Sequence, residues 1–508
     1  MQPRFFYFYA LFSVLILALA GWLNSAELFW PLLVFWLLIF LVAYSSLERG
    51  IIFLILFSVL DTFSFLNLRA YHWVSLIIIS VWVIHFIKTG KLTGLFGERF
   101  STFKKRISKS SFLERIIFLF FLASILGLLN SPSLGYSLKQ TIVFSFSLII
   151  FLIVFWGLRA KILSFSKISK AFSFSLLPVA FLALYQNIAH EKGLASFEVM
   201  PARPNASFYE PDWLGMYLIL VLPFLLYSAF LGKTKPKKKV FFWFLLCLLF
   251  VVLIITVARA SWLAALAEVF VFFLWGFWGV AWNRITLSSG KIFFSGLLKT
   301  LLIFIVALNL VLVFGLTRFN LKDRFTSIYK KEHLVTMALN PKTGEKKKID
   351  LEEIETYRSL GYQISEESVT DENVTLRLES YASNREIISE HWFLGQGQGG
   401  SLLKKGLAHN ANNIFYEFWI AGGILGLVSF LCFLIFLGGT ALGVCFFPTG
   451  KFSVFAWAKR GLVLAGILGL IIANLFNSGI YFAPLWIFLG IAAVLAEDWY
   501  RKNKIRRK

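Results

Sequence analysis

The sequence predicts an all-α polytopic membrane protein with about 12–14 transmembrane helices and one large extracytoplasmic loop carrying short amphipathic helices. Three observations carry that prediction. Of the 508 residues, 58% are hydrophobic and only 15% charged, with a mean hydropathy of +0.76. A water-soluble chain needs far more polar surface than this. Apolar runs of the roughly 20 residues needed to cross about 30 Å of hydrocarbon recur from Phe5 almost to Ala496. Finally, the Lys and Arg residues concentrate in short loops between those runs, which is how orientation is encoded in a membrane protein.

Taken in order, the runs begin near Phe5, Leu28, Ile51, Trp73, Ile116, Thr141, Ala171, Trp213, Val240, Trp262, Phe293, Asn413, Gly461 and Tyr481. The first, FYFYALFSVLILALAGW, follows a lone Arg4 and offers an A-x-A-like site at Ala18-Leu19-Ala20. Because WLNSAELFW leads straight into another apolar run, it reads as a membrane helix rather than a cleaved signal. Basic loops fall at Lys88–Ser110, Arg159–Lys170, Gly232–Lys239, NRITLSSGK, PTGKFSVFAWAKR and the tail RKNKIRRK. All lie on one side if both termini are cytoplasmic, so the net charge of +23 encodes topology and not nucleic-acid binding. Cys247, Cys432 and Cys445 sit in or at the ends of apolar runs and read as packing residues. Four regions follow: N-terminal transmembrane helices over 1–200, transmembrane helices with outer-face arginine motifs over 201–316, a large extracytoplasmic loop over 317–412, and C-terminal helices with a basic cytoplasmic tail over 413–508.

The opposite, outer face receives four polar motifs. PARPNASFYEPDWLGMYL holds Arg203, Glu210 and Asp212 at the start of a helix, where an ordinary interfacial loop is the competing reading. ITVARASWLAAL carries Arg259 in a tight turn between two apolar runs. That arginine either snorkels to the surface or clamps phosphate, whose oxygens its planar fork matches. SNREIISEHWFLGQGQGG places Arg385 on an amphipathic helix ahead of glycines that permit close backbone approach to a ligand, or a hinge. GLAHNANNIFYEFWIAGGILGL sets His409, Asn412, Asn413 and Tyr416 at helical spacing before a glycine-rich span. In the long outer segment, DLEEIETYRSL has Leu351, Ile354 and Tyr357 at helical spacing. Asp61, Glu268 and Lys299 are ionisable residues inside apolar runs; Asp61 calls for a partner on a neighbouring helix.

In order and in shared orientation, these four motifs resemble the bacterial O-antigen ligase and O-antigen polymerase family, over roughly Pro201 to Gly438. The resemblance implies a metal-independent glycosyltransferase with no cofactor. It moves a glycan from an undecaprenyl-diphosphate-linked oligosaccharide to a glycan, lipid or protein acceptor, on the outer side of the bacterial cytoplasmic membrane. Arg203, Arg259 and Arg385, with Asn412 and Asn413, are then the diphosphate-binding residues, and a histidine is the base. One departure stands out: the family's spacing, counted back from Gly423, lands on Asn412 and Asn413, so His409 comes one helical turn early. Either the helix start shifts to bring His409 into place, or this branch uses another base, with Glu210 and Glu417 as candidates.

A transporter or flippase for a lipid-linked substrate is the alternative, suited by the buried ionisable residues. The lack of internal repeats and the one-sided motifs speak against it. The orientation is tested by single cysteines in a cysteine-free background. One at Leu194 is expected to react with a membrane-impermeant maleimide in intact cells, and one at Lys237 only after permeabilisation.

Overall fold

A computed structural model describes residues 12–14, 17, 29–66, 68–89, 112–231, 236–317, 332–341, 346–348, 354–370, 372–403, 411–446 and 452–507. The apolar runs form helices because backbone groups in hydrocarbon must find their hydrogen bonds within the same segment. In chain order these are α1 (Phe29–Ser45), α2 (Leu47–Phe57), α3 (Ala70–Thr89), α4 (Phe112–Gly127), α5 (Leu134–Arg159), α6 (Phe165–Phe174), α7 (Leu176–Glu191), α8 (Pro211–Leu226), α9 (Pro236–Ile255), α10 (Arg259–Ala281) and α11 (Leu287–Val313). After the long polar segment come α12 (Ile354–Ser359), α13 (Glu372–His391), α14 (Gly400–Leu403), α15 (Ile414–Phe446), α16 (Val454–Asn474) and α17 (Ala483–Arg507). Among the described residues ten helical stretches are long and apolar enough to cross a membrane, and two shorter apolar helices join them. The chain is a multi-pass membrane protein. The first apolar run, at Phe5, lies almost wholly outside the described residues.

Two compact units divide the chain: residues 1–317 with 387–508, and residues 318–386. In the first unit α8 is the central helix, with 94% of its membrane window buried inside the protein, whereas α11 has 22% and forms the rim. Helix α10 is clasped to α16 by a reciprocal pair. The indoles of Trp275 and Trp457 stack at 4.6 Å, and each Nε1–H donates to the other's carbonyl, at 3.1 and 2.7 Å. Indoles buried this way satisfy their polar edge while contributing a large apolar face. Lower-volume residues let the two helices close: Gly461 lies against Trp275, and Gly469 against Glu268.

The three ionisable residues in apolar runs meet different fates. Lys299 lies 5.2 Å from the Trp243 ring centroid, a cation–π contact. Glu268 is fully buried, and neither carboxylate oxygen has a hydrogen-bond partner in the structure. Asp61 follows α2, an 11-residue helix that ends short of a full span. A small hairpin, β1 (Ser64–Phe65) with β2 (Leu68–Arg69), then returns the chain so that Arg69 forms an ion pair with Asp61. The Tyr71 hydroxyl of α3 donates to Asp61 at 3.2 Å. The partner is therefore mainly the hairpin arginine, and the neighbouring helix supplies the phenol.

Helix α15 is broken near its start. Gly422 (φ −136°) and Gly423 (φ +60°, ψ −156°) leave the helical region, and the freed backbone groups are taken up by the segment after α13. The N–H of Gln396 donates to the Ile420 carbonyl at 2.6 Å, and that of Ile424 to the Trp392 carbonyl at 2.9 Å. Glycine is required on both sides of this contact. A Cβ at Gly423 would lie 2.0 Å from the Phe393 carbonyl oxygen, and one at Gly395 2.4 Å from the Ile420 oxygen.

The second unit adds strands to the expected helix. β3 (Glu332–Leu339) lies between β4 (Lys346–Lys348) and β5 (Gln363–Thr370) in an antiparallel sheet of order β4-β3-β5, with Glu332 opposite Thr370 and Leu339 opposite both Lys346 and Gln363. Helix α12 covers Ile354 and Tyr357 of the helical pattern, while Leu351 lies outside the described residues.

Two stability predictions follow from these contacts. Breaking a buried ion pair strands its partner, so Asp61→Ala is expected to cost about 3 kcal/mol, the lower end of the range because Arg69 is partly exposed. Asp61→Leu with Arg69→Met is expected to recover much of that loss in thermal melts of the detergent-solubilised protein. Gly423→Ala is expected to abolish the folded protein on size-exclusion chromatography. Gly438→Ala, where an added Cβ meets nothing within 4 Å, is expected to be neutral.

Candidate active site

The Arg203 loop is shaped from below by Gln186, a fully buried residue near the end of α7. Its Oε1 accepts the N–H groups of Asn205 and Ala206 at 3.0 and 2.6 Å, and its Nε2 donates toward Phe197, Asn205 and Ala206 oxygens at 3.3 Å. A buried amide saturated in this way fixes the path of the loop. Ser207 then ties the loop to the Asp61 turn: its Oγ donates to the Val59 carbonyl at 2.6 Å, and its carbonyl accepts from the N–H groups of Asp61 and Thr62 at 3.0 Å.

Held there, Arg203 reaches three neighbours, the weakest a contact of Nη1 with Met200 Sδ at 3.5 Å. Its Nε donates to the Thr256 carbonyl at 3.1 Å, and Nη2 meets the Asp212 carboxylate at 3.0 Å. Thr256 stands three residues before Arg259, the first residue of α10. The structure thus brings the first two arginine motifs together through one hydrogen bond. Both Arg203 and Asp212 keep about a fifth of their side-chain surface open, so part of the five-donor guanidinium remains available. Arg259 is half-buried at the α10 N-terminus, where unpaired N–H groups and the helix dipole favour an anion. Glu210 is half-buried and occupies the N-cap of α8, its carbonyl accepting from the N–H groups of Trp213 and Leu214.

A connecting stretch absent from the sequence motifs, between α16 and α17, joins this pair to the later ones. Phe482 packs against Phe208 and Trp213, with ring centroids 5.6 and 5.4 Å apart. The adjacent Tyr481 hydroxyl donates to Gln398 Oε1 at 2.9 Å, and Gln398 Nε2 donates to Ser124 Oγ at 2.9 Å. Leu475, at the start of the stretch, accepts from Asn413 Nδ2 at 3.3 Å. Burial pushes the Tyr481 phenol well above its ordinary range, and the Glu417 carboxylate and Tyr136 push it further. Tyr481 is therefore a hydrogen-bond donor at any physiological pH. The glycine approach expected at GQGQGG is real, but it is toward protein backbone: the Gly397 position lies against Gly127 at the end of α4.

The remaining predicted residues divide. Asn413 is the cap of α15, its Oδ1 accepting from the N–H groups of Phe415 and Tyr416 at 2.9 and 3.3 Å. Asn412 adopts a left-handed backbone (φ +52°), a conformation asparagine tolerates well. Glu417 is buried, and its Oε2 accepts the Ala411 N–H at 3.1 Å. Arg385 is exposed and belongs to the second unit, so it stands apart from this description. His409 lies outside the described residues. The sequence motifs omitted Gln186 and Tyr481, and Gln398, although inside GQGQGG, was not singled out. A glutamine inside an otherwise apolar helix was the available signal for the first, and nothing local distinguishes the other two.

Comparison with curated proteins finds no match. Residues 243–431 match the model of the O-antigen ligase family. That stretch contains Arg259, Arg385, His409, Asn412, Asn413 and Glu417, while Arg203 and Glu210 precede it, and Arg203 reaches it through the Thr256 contact. This multi-pass membrane protein is thus similar, over residues 243–431, to the O-antigen ligase family.

Proposed function

We propose that the chain transfers a glycan from an undecaprenyl-diphosphate carrier to an acceptor hydroxyl on the outer face of the cytoplasmic membrane. The observation that carries this reading is the Arg203–Thr256 contact, which joins an arginine loop to the N-terminus of α10 and its Arg259. Transfer forms a bond from the acceptor oxygen to the anomeric carbon and breaks the bond from that carbon to the diphosphate oxygen. The electron pair leaves with the diphosphate, so negative charge grows there in the transition state. Preorganised cations at a site shielded from water stabilise such charge without having to reorganise. Arg203 and Arg259, with Asn412 and Asn413, take that role in this reading, and the base is sought among His409, Glu210 and Glu417.

Transport of the lipid-linked substrate is the second reading. It is favoured by Glu268, a buried carboxyl without a partner in the structure well inside α10.

Mass spectrometry of carrier-linked glycans in a deletion strain separates the two. Single repeat units accumulating on the carrier indicate a polymerase, and full-length chains stranded there a ligase. Arg203→Ala is expected to lower turnover by about 10²–10³, the usual loss for one transition-state donor. Arg203→Lys is expected to restore little, because an ammonium lacks the planar fork that spans Thr256 and Asp212. An unchanged carrier pool in the deletion strain would overturn the transferase reading.

A further inference from the structure

Beside the arginine loop, α7 ends in a histidine that none of the motifs contains. His190 Nδ1 is paired with Glu198 Oε1. The same oxygen accepts the N–H of Ala202 at 3.1 Å, so the carboxylate holds both the imidazole and the residue next to Arg203. The Glu198 side chain is 5% exposed and that of His190 23%. Among the described residues no further side-chain hydrogen bond holds this imidazole, and Glu198 Oε2 is buried without a partner. Gln186, one turn earlier on α7, grips the same loop at Asn205 and Ala206. One helix thus places both the arginine loop and the imidazole. A buried carboxylate on one ring nitrogen of a partly exposed imidazole is the arrangement that fixes a histidine tautomer for proton abstraction.

We propose that His190, oriented by Glu198, is the general base that activates the acceptor hydroxyl; the inference rests on the transferase reading above. Nε2 takes the acceptor proton as the oxygen bonds to the anomeric carbon, the diphosphate departs with the electron pair of the broken bond, and the imidazolium then releases its proton to water. The pairing also answers the spacing problem at His409, since the base comes from the end of α7, tied by Glu198 to the loop that carries Arg203. Glu198 is the charged group facing His190 from the adjoining loop. Glu191, the last residue of α7, and Lys192 after it have exposed side chains, and the nearby Arg203 is engaged by Asp212.

The test uses the purified full chain added to vesicles made from the deletion strain's own membranes, which carry both donor and acceptor. Release of undecaprenyl diphosphate is followed across pH. His190→Gln is expected to lose about 10²–10⁴ in turnover, the usual contribution of a general base, with little change in KM for the donor. The limb of the pH–rate profile that reports base deprotonation is expected to vanish. Added imidazole is expected to restore turnover to His190→Gly, and Glu198→Gln is expected to give an intermediate loss. Three outcomes would overturn the proposal: near wild-type turnover with the limb retained in His190→Gln; a loss that imidazole does not rescue and that accompanies a lowered melting temperature, marking the pair as a structural latch; or disappearance of the limb in His409→Ala instead. Wild type failing to release undecaprenyl diphosphate would remove the transferase reading itself.

Discussion

The break in α15 at Gly422 and Gly423 is the constraint on which the arrangement around the candidate site depends. A helix interrupted in a low-dielectric bundle exposes carbonyl and N–H groups that water cannot reach, and each costs several kcal/mol unless another group takes it up. The stretch from Trp392 to Gln396 does so on both sides of the break. That requirement pins the glycine loop to α15 and α4. The pinned loop in turn presents Gln398 to Tyr481 and Ser124, while the first turns of α15 present Asn413 to Leu475. The glycine-rich sequences that look like a ligand cradle and a helix-packing stripe are thus two halves of one contact.

Electrostatics in the first unit follows from the same economy. Asp61 and Arg69 neutralise each other beneath the Arg203 loop, and Tyr71 supplies a further hydrogen bond. The carbonyl of Ser207 and the N–H groups of the Asp61 turn link this pair to the loop. The ion pair therefore supports the position of Arg203 from a distance, through backbone bonds. Its effect on chemistry is one of placement, since neither charge belongs to the arginine motifs.

Much of this was legible in the sequence, and the exceptions have physical causes. The membrane class follows from composition. The need of Asp61 for a partner follows from the cost of a charge in an apolar run, and the proximity of the first two motifs from their shared side. The hub between α16 and α17 was not legible, because FNSGIYF reads as a short turn running into a span and its contacts are all long-range. The short helix α2 reads as a span because its 11 residues continue into Ser58-Val59-Leu60, also uncharged, before Asp61 ends the run. The sheet of the second unit was missed for a different reason: the helical spacing of DLEEIETYRSL made the outer segment read as short amphipathic helices, and the pairing of QISEESVT with EHLVTMAL lies in partners rather than in local pattern.

Three polar groups of the candidate site have a protein partner that fixes their direction: Thr256 and Asp212 for Arg203, Glu198 for His190, Ala411 for Glu417. In the proposed transfer, such partners reduce the raw charge offered to a diphosphate, since Asp212 offsets part of Arg203. What they supply instead is orientation, settled during folding and not at the moment of reaction. For a leaving group that only becomes strongly charged as its bond breaks, a fixed and partly neutralised cation discriminates better than a free one. It binds the ground-state carrier less tightly and still meets the growing charge without having to move, and that differential is what accelerates a reaction.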